Sequence, residues 1–257
     1  MLAGVHQVAV DAAREAGRIV RGYFQEATII QMKGEDNPLT EADLASNRVL
    51  YERLLGAYPD FGWLSEETVD DGARLQKREV WIIDPVDGTL EFTKGIPEFV
   101  ISIGLVIDGA PVLGVLYNPI RDQLFSGIVG QGAWYNGQPT HTSTRAELSG
   151  SRVVCSRTEM SKGWFDPYKD LLVPEPVGSV AYKFGLVAAG MAEATFTPRP
   201  RHEWDVAGGA AIVLAAGGRF TNGAGDAVVF NQPKPLVDGI AATNGPIHDG
   251  ILGLMKG

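Results

Sequence analysis

Asp84-Pro85-Val86-Asp87-Gly88-Thr89 follows directly on the apolar run Val80-Trp81-Ile82-Ile83. The run reads as a buried strand. It stops on two acids, a proline, a glycine and a threonine within six residues. Pro85 has no N–H, so the strand ladder is expected to end there. Gly88 permits the turn that follows. Two carboxylates three residues apart on a rigid strand end repel one another. A cation between them removes that cost, and Mg²⁺ prefers oxygen ligands. If a helix starts after Asp87, its free amides can face an anion. A metal beside an anion site points to phosphate chemistry.

Other readings of the hexapeptide are available. An acidic turn after a strand is commonly no more than a solvated turn. A calcium loop needs acids at alternating positions and a closing glutamate, and neither is present. Phosphatases with an aspartyl nucleophile carry Asp-x-Asp-Gly-Thr. Here the acids lie three apart, which moves one side chain to another face, so that reading is the runner-up.

Composition narrows the class. The chain has 257 residues and a 45% apolar fraction, enough for one large domain or two closely packed halves. A net charge of −9 disfavours nucleic-acid binding. The single cysteine, Cys155, excludes an internal disulfide framework and fits a reducing cytoplasm. Asp11, Arg14, Glu15 and Arg18 interrupt the apolar stretches near the start, so no signal peptide is expected. The uncharged run 206–218 is too short to span a bilayer. The expectation is a cytoplasmic protein with no membrane or nucleic-acid partner.

Outward from the hexapeptide, residues 5–24 place apolar side chains at helical spacing. A polar loop follows, Lys33-Gly34-Glu35-Asp36-Asn37-Pro38. The stretch from Thr40 to Asp43 has the form of a capping box, with Leu44, Leu50, Leu54 and Leu55 expected on the buried side of a second helix. Asp43 also suits that helix's first turn on local grounds alone. Ser65-Glu66-Glu67 ends a short apolar strand, so Glu66 and Asp84 would converge if the two strands are neighbours.

Beyond the hexapeptide, Asp108-Gly109 and Asn136-Gly137 mark tight turns in an antiparallel meander. Strands are expected at 152–156, 194–197, 227–230 and 240–243, with helices at 180–190 and 205–216 and a last one from 246. That alternation indicates a layered α/β half, giving residues 1–145 as an α+β half and 146–257 as an α/β half. Asp205 falls where a helix N-cap belongs, so capping competes with ligation there.

Four motifs in order carry a family resemblance: Leu39-Thr40-Glu41-Ala42-Asp43, Ser65-Glu66-Glu67, Trp81 through Thr89, and Trp204-Asp205-Val206-Ala207. Together they resemble the inositol monophosphatase superfamily of Mg²⁺-dependent, lithium-sensitive phosphomonoesterases. The resemblance implies a five-layer αβαβα sandwich, a homodimer and two to three Mg²⁺ ions per site. It makes Glu66, Asp84 and the Val86 carbonyl ligands of the first ion, and Asp84, Asp87 and Asp205 ligands of the second. Glu66 would also help to place a third. Thr89, hydrogen-bonded to Asp43, would orient the attacking water, and the Gly88 and Thr89 amides would hold phosphate.

The substrate is less legible. The inositol-specific branch has an acid seven residues before the Trp-Asp aspartate, where this chain has Pro198. Glu203 is the available substitute. Residues 178–187, containing Lys183-Phe184, resemble the bacterial bisphosphate nucleotidase branch. Lys183, Arg199 and Arg201 are then candidates for a second phosphate. The resemblance leans to 3′-phosphoadenosine 5′-phosphate, with inositol 1-phosphate or a range of sugar phosphates behind it. A catalytically silent binding protein on the same fold is the alternative from another class.

Overall fold

The amphipathic pattern near the start folds as α1 (Leu2–Tyr23), which buries Val5, Ala9, Ala12, Ala13, Ala16 and Val20 on one side. The structure is a computed structural model, and it describes residues 2–24, 29–34 and 37–256. The stretch expected as a polar loop is mostly strand: Lys33 and Gly34 end β1 (Ile29–Gly34), Asn37 and Pro38 begin its hairpin partner β2 (Asn37–Thr40), and Glu35 and Asp36 lie outside the described residues. α2 (Glu41–Ala57) starts at the predicted capping box. Leu50 and Leu54 are buried as expected, whereas Leu44 is 43% exposed. Leu44 lies six residues before Leu50, off the buried stripe of a 3.6-residue helix.

The chain continues with β3 (Gly62–Ser65), β4 (Glu79–Asp87), α3 (Thr89–Thr93), β5 (Val100–Ile107), β6 (Ala110–Asn118), β7 (Gln123–Ile128), β8 (Gly132–Tyr135) and β9 (Gln138–Thr140). These strands form a seven-stranded sheet in sequence order, antiparallel except that β3 and β4 run parallel. The register settles two expectations. Ser65 pairs with Ile83, so Glu66 stands beside Asp84 at one sheet end. Pairing of β4 with β5 does not stop at Pro85: it breaks after Asp84↔Ser102 and resumes at Asp87↔Val100. The proline therefore makes an irregularity in the ladder, and Asp87 stays anchored to β5.

Next come β10 (Ser151–Cys155), α4 (Arg157–Ser161), β11 (Leu172–Pro176), α5 (Val180–Ala188), β12 (Ala194–Thr197), β13 (Arg201–His202) and α6 (Glu203–Ala215). The chain ends with β14 (Arg219–Asn222), β15 (Leu236–Val237), β16 (Ile240–Thr243) and α7 (His248–Met255). The second sheet has the order β11-β10-β12-β16-β14. Its edge strand β14 lies at 219–222; the apolar segment 227–230, expected as a strand, is irregular. Phe230 is buried there, and its amide donates to the Gly109 carbonyl at 2.9 Å.

Three apolar cores stack these elements into five layers. One lies between α1, α2 and the first sheet and includes Trp81, Ile83, Ile101 and Ile103. The second joins the other face of that sheet, through Val80 and Ile82, to α5, α6 and the second sheet. The third packs Val153, Cys155 and Ala241 against Ile251 and Leu252 of α7. Alternating residues of β4 and of β10 thus serve opposite cores, as the two-residue period of a strand requires.

One packing detail positions the site. Gly104, Gly114 and Gly127 are cross-strand partners on β5, β6 and β7 and form a lane without side chains. α6 lies in it: a Cβ at Gly114 would come within 2.0 Å of the Gly208 carbonyl oxygen, and one at Gly208 within 2.8 Å of the Ile103 oxygen. This approach brings Asp205, at the start of α6, to the end of β4.

Candidate active site

A cleft of about 340 Å³ opens where β4, α3, α4, α5 and α6 meet, and Glu66, Asp84, Val86, Asp87, Gly88, Thr89 and Asp205 are among its lining residues. Carboxylate oxygens of Asp84, Asp87 and Asp205 lie within 4.8 Å of one another. Two of these acids reach the cleft from β4 and the third from α6, 118 residues later than Asp87. Asp205 is not the N-cap of α6. The cap is His202, and Asp205 is the third residue of the first turn, where its carboxylate accepts from the His202 amide at 3.2 Å. The bond occupies one oxygen of an acid that also faces the cluster.

The electrostatics are those of an uncompensated cluster. Burial, followed by the charges of Glu66, Asp87, Asp205 and Asp43, pushes Asp84 well above the ordinary carboxylate range. Asp205 is raised in the same way by burial and by Asp87 and Glu66, with Arg201 and the His202 amide acting against the rise. Burial raises Asp87 to about 6, although the Ser179 hydroxyl, the Ala181 amide and the Lys183 charge all favour its ionised form. Carboxylates this close disfavour one another's ionised form, and a cation between them removes that cost. The donor set is all oxygen, which suits Mg²⁺.

Thr89 and Asp43 are joined as expected. The Thr89 hydroxyl lies 2.9 Å from Asp43 Oδ1 and 2.8 Å from the Val86 carbonyl oxygen. Asp43 Oδ2 accepts from the Thr40 amide at 2.8 Å and from the Thr40 hydroxyl at 2.6 Å. The Ser46 hydroxyl donates to the Pro85 carbonyl at 2.9 Å, so α2 grips the hexapeptide at two points. Gly88 has φ +101°, and a Cβ there would meet the Glu98 carbonyl at 2.9 Å and Ser179 Cβ at 3.0 Å. Only glycine fits this turn. α3 begins at the next residue.

The substrate-side candidates separate. Lys183 is buried in the cleft wall, and its ammonium donates to the Ser179 carbonyl at 2.7 Å, with the Val177 carbonyl at 3.5 Å. Burial holds its pKa below the usual lysine range. Arg199 lies at the rim with its guanidinium 4.0 Å over the Trp164 ring. Arg201 lines the cleft 3.5 Å from Glu159, while its Nε is buried with no partner among the described residues. Glu203 points elsewhere: its carboxylate accepts from the Asn231 and Gln232 amides at 2.8 and 3.0 Å, and it does not line the cleft. That occupation removes it as a hydroxyl acceptor for substrate and makes it the anchor of the segment after Phe230.

Other lining residues have no counterpart in the motifs. Arg157 pairs with Glu98 at 2.5 Å and lies 3.8 Å from Glu91, while Glu98 also accepts from the Gly178 amide at 2.8 Å. This network ties the segments around residues 91, 98, 157 and 178 together around the cleft. Glu159 accepts from the Thr197 hydroxyl at 2.6 Å. Its sequence signal, Ser156 three residues earlier, reads as a capping box, and the structure has that box.

Residues 1–255 match the inositol monophosphatase family. The chain belongs to that family. It is 36% identical over 248 residues to inositol monophosphatase 1 of Solanum lycopersicum, covering 92% of this chain and 89% of that protein. The crystal structure of the extragenic suppressor protein suhB from Bartonella henselae superposes with a TM-score of 0.85 at 29% identity, over 98% of each chain. A staphylococcal inositol monophosphatase II solved with 2′AMP superposes at 0.82 and 27% identity, covering 97% of this chain and 93% of that one. Inositol monophosphatases are hydrolases acting on phosphate monoesters, and the family is Mg²⁺-dependent. Among the described residues, no helix is long and apolar enough to cross a membrane.

Proposed function

We propose that this inositol monophosphatase family member hydrolyses a small metabolite carrying two phosphates, with 3′-phosphoadenosine 5′-phosphate as the leading substrate. The phosphatase part rests on one observation, two buried carboxylates and the half-buried Asp205 within 4.8 Å of one another, beside the Thr89–Asp43 pair. Asp84, Asp87 and Asp205, with Glu66 and the Val86 carbonyl beside them, would hold two to three Mg²⁺ ions. Bound there, Mg²⁺ would lower the pKa of water and neutralise charge developing on the phosphoryl group and its leaving oxygen.

The chain's own residues supply orientation. A threonine hydroxyl has one proton, and two acceptors compete for it here. The carboxylate of Asp43 is the stronger acceptor, which leaves the Val86 carbonyl free for a cation. Donation to Asp43 would turn the Thr89 lone pairs outward, where they can accept a hydrogen bond from the attacking water and fix its direction. The amides of Gly88 and Thr89, the N-cap and first residue of α3, have no acceptor inside the helix, so they can hold phosphate oxygens.

The substrate reading rests on the rim. Arg199 and Arg201 line the cleft, and the Arg201 Nε lacks a partner in a buried position. Beside them, sharing Glu159, is an apolar recess of about 220 Å³ with Trp164, Phe165, Tyr168 and Phe196 in its walls. Cations next to an aromatic recess suit a second phosphate attached to a planar base. With Glu203 turned away and Pro198 in place of an acid, the polyol-binding acceptor is missing. Inositol 1-phosphate is the second reading, favoured by the tomato relative and by the staphylococcal enzyme solved with inositol monophosphate. The test is a side-by-side hydrolysis panel at fixed Mg²⁺ and ionic strength. The bisphosphorylated nucleotide should give the highest kcat/KM. A tenfold preference for inositol 1-phosphate, about 1.4 kcal/mol, overturns the lean. No turnover of any phosphomonoester favours the silent binding protein.

A further inference from the structure

Ser179 differs in its backbone from the other non-glycine residues of the cleft. Among the described residues, the non-glycine positions with positive φ are Asp108, Asp122, Asn136, Asn231 and Ser179. Asp and Asn tolerate that region; serine has no such tolerance. With φ +62° and ψ 136°, Ser179 is also outside the left-handed helical well, close to territory held by glycine alone. Strain of this kind persists only where the surroundings enforce it.

The surroundings are specific. The Ser179 hydroxyl donates to Asp87 Oδ2 and accepts from the Tyr182 amide at 2.9 Å, so it caps α5 as well. The Ala181 amide donates to the same Asp87 oxygen at 2.5 Å. The Ser179 carbonyl is held by Lys183 at 2.7 Å. Glu98 fixes the preceding Gly178 amide at 2.8 Å, and Gly88 leaves the space into which Ser179 Cβ fits. Asp87 is thus gripped by one oxygen from α5, an element remote from it in sequence.

We propose that Ser179 is a positioning residue for Asp87. Its hydroxyl locks one carboxylate oxygen so that the other is presented to the Mg²⁺ shared with Asp84 and Asp205. The inference rests on the metal reading above. It assigns a function to the strain: a relaxed backbone at Ser179 would withdraw the hydroxyl from Asp87.

Two substitutions separate positioning from capping. Ser179→Gly removes the hydroxyl, relieves the backbone and keeps an acceptable N-cap, whereas Ser179→Ala removes the hydroxyl and cap while keeping the strain. Mg²⁺ binding is measured by titration calorimetry on the substrate-free protein, with Tm recorded alongside. Both variants should bind Mg²⁺ about tenfold more weakly than wild type, as loss of a hydrogen bond to a charged group implies. Their Tm values should differ, with alanine the lower. Mg²⁺ affinity within twofold of wild type in either variant, or affinity loss that follows Tm, overturns the positioning role. Absence of Mg²⁺ binding by the wild-type protein overturns the metal reading itself, and this inference with it.

Discussion

The two walls of the cleft are held in different ways. The acidic wall rests on regular structure: Asp84 and Asp87 are residues of β4 paired to β5, and Asp205 is in the first turn of a helix seated in a glycine lane. The cationic wall rests on side chains from a two-residue strand and its neighbouring loop, with Arg201 and Arg199 held by Glu159 and Trp164. Backbone-fixed ligands keep their separations, as reaction chemistry requires. Side-chain-fixed cations can be altered with little effect on the fold. On the proposed function, catalysis belongs to the first wall and substrate choice to the second.

The sharpest way to break that contrast is Asp205→Asn. An asparagine side-chain oxygen can accept from the His202 amide as the carboxylate does, so this capping-box bond and the Tm should survive. Activity should nevertheless fall roughly 10³-fold or more, because a charge is lost from the metal cluster. Wild-type kcat/KM in this variant would reduce Asp205 to a helix-capping residue.

Thr89→Ala is expected to come second. It deletes the hydroxyl near Asp43 and keeps the amide at the start of α3. Turnover should drop roughly 10²- to 10³-fold with little change in KM. A raised KM at unchanged kcat would move Thr89 from water orientation to substrate binding.

Arg201→Ala should have a smaller and selective effect. Loss of one hydrogen bond to a charged group costs roughly 10- to 100-fold in kcat/KM with a bisphosphorylated nucleotide. Inositol 1-phosphate, which has no second phosphate, should be affected much less. Equal losses on both would show that Arg201 works through Glu159 and the fold.

The smallest effect is a control far from both walls. His248 is buried between Thr221 and Thr243, at 3.1 and 3.0 Å, and burial lowers its pKa to about 4. A depressed histidine contributes stability that is complete above its unfolded pKa of about 6.5 and is lost as the pH falls towards 4. Tm measured from pH 7 to pH 4 should therefore decline less steeply in His248→Gln than in wild type, with kcat at pH 7.5 unchanged. Parallel Tm curves would mean that the ring does not titrate as its burial implies.

The same contrast explains what could be read from the chain beforehand. The acidic wall is legible because its residues are contiguous or follow strands: the hexapeptide, Ser65-Glu66 and Trp204-Asp205 each carry a local signal. The apolar period of α1 marks the first helix and the Asp-Gly and Asn-Gly turns mark the meander, whereas the five layers follow from the family resemblance. The hairpin of β1 and β2 and the edge strand β14 were missed because short, mixed segments have no clear period. Pro85 misled, since a proline can sit in a ladder irregularity without ending the strand. Arg157, Glu159 and Ser179 were invisible as site residues. Each looks like ordinary helix-start chemistry, and only tertiary packing turns them towards the cleft. Glu203 erred the other way, a well-placed acid whose carboxylate is taken by two backbone amides.

The most direct test of the central claim is phosphate release from the bisphosphorylated nucleotide as a function of free Mg²⁺, from excess chelator to saturation. Turnover should be absent in chelator and should rise saturably as Mg²⁺ is added, with chelator reversing the rise. Full turnover in chelator, unchanged by added Mg²⁺, would contradict it: the acids of β4 and α6 would then have no part in holding a catalytic cation.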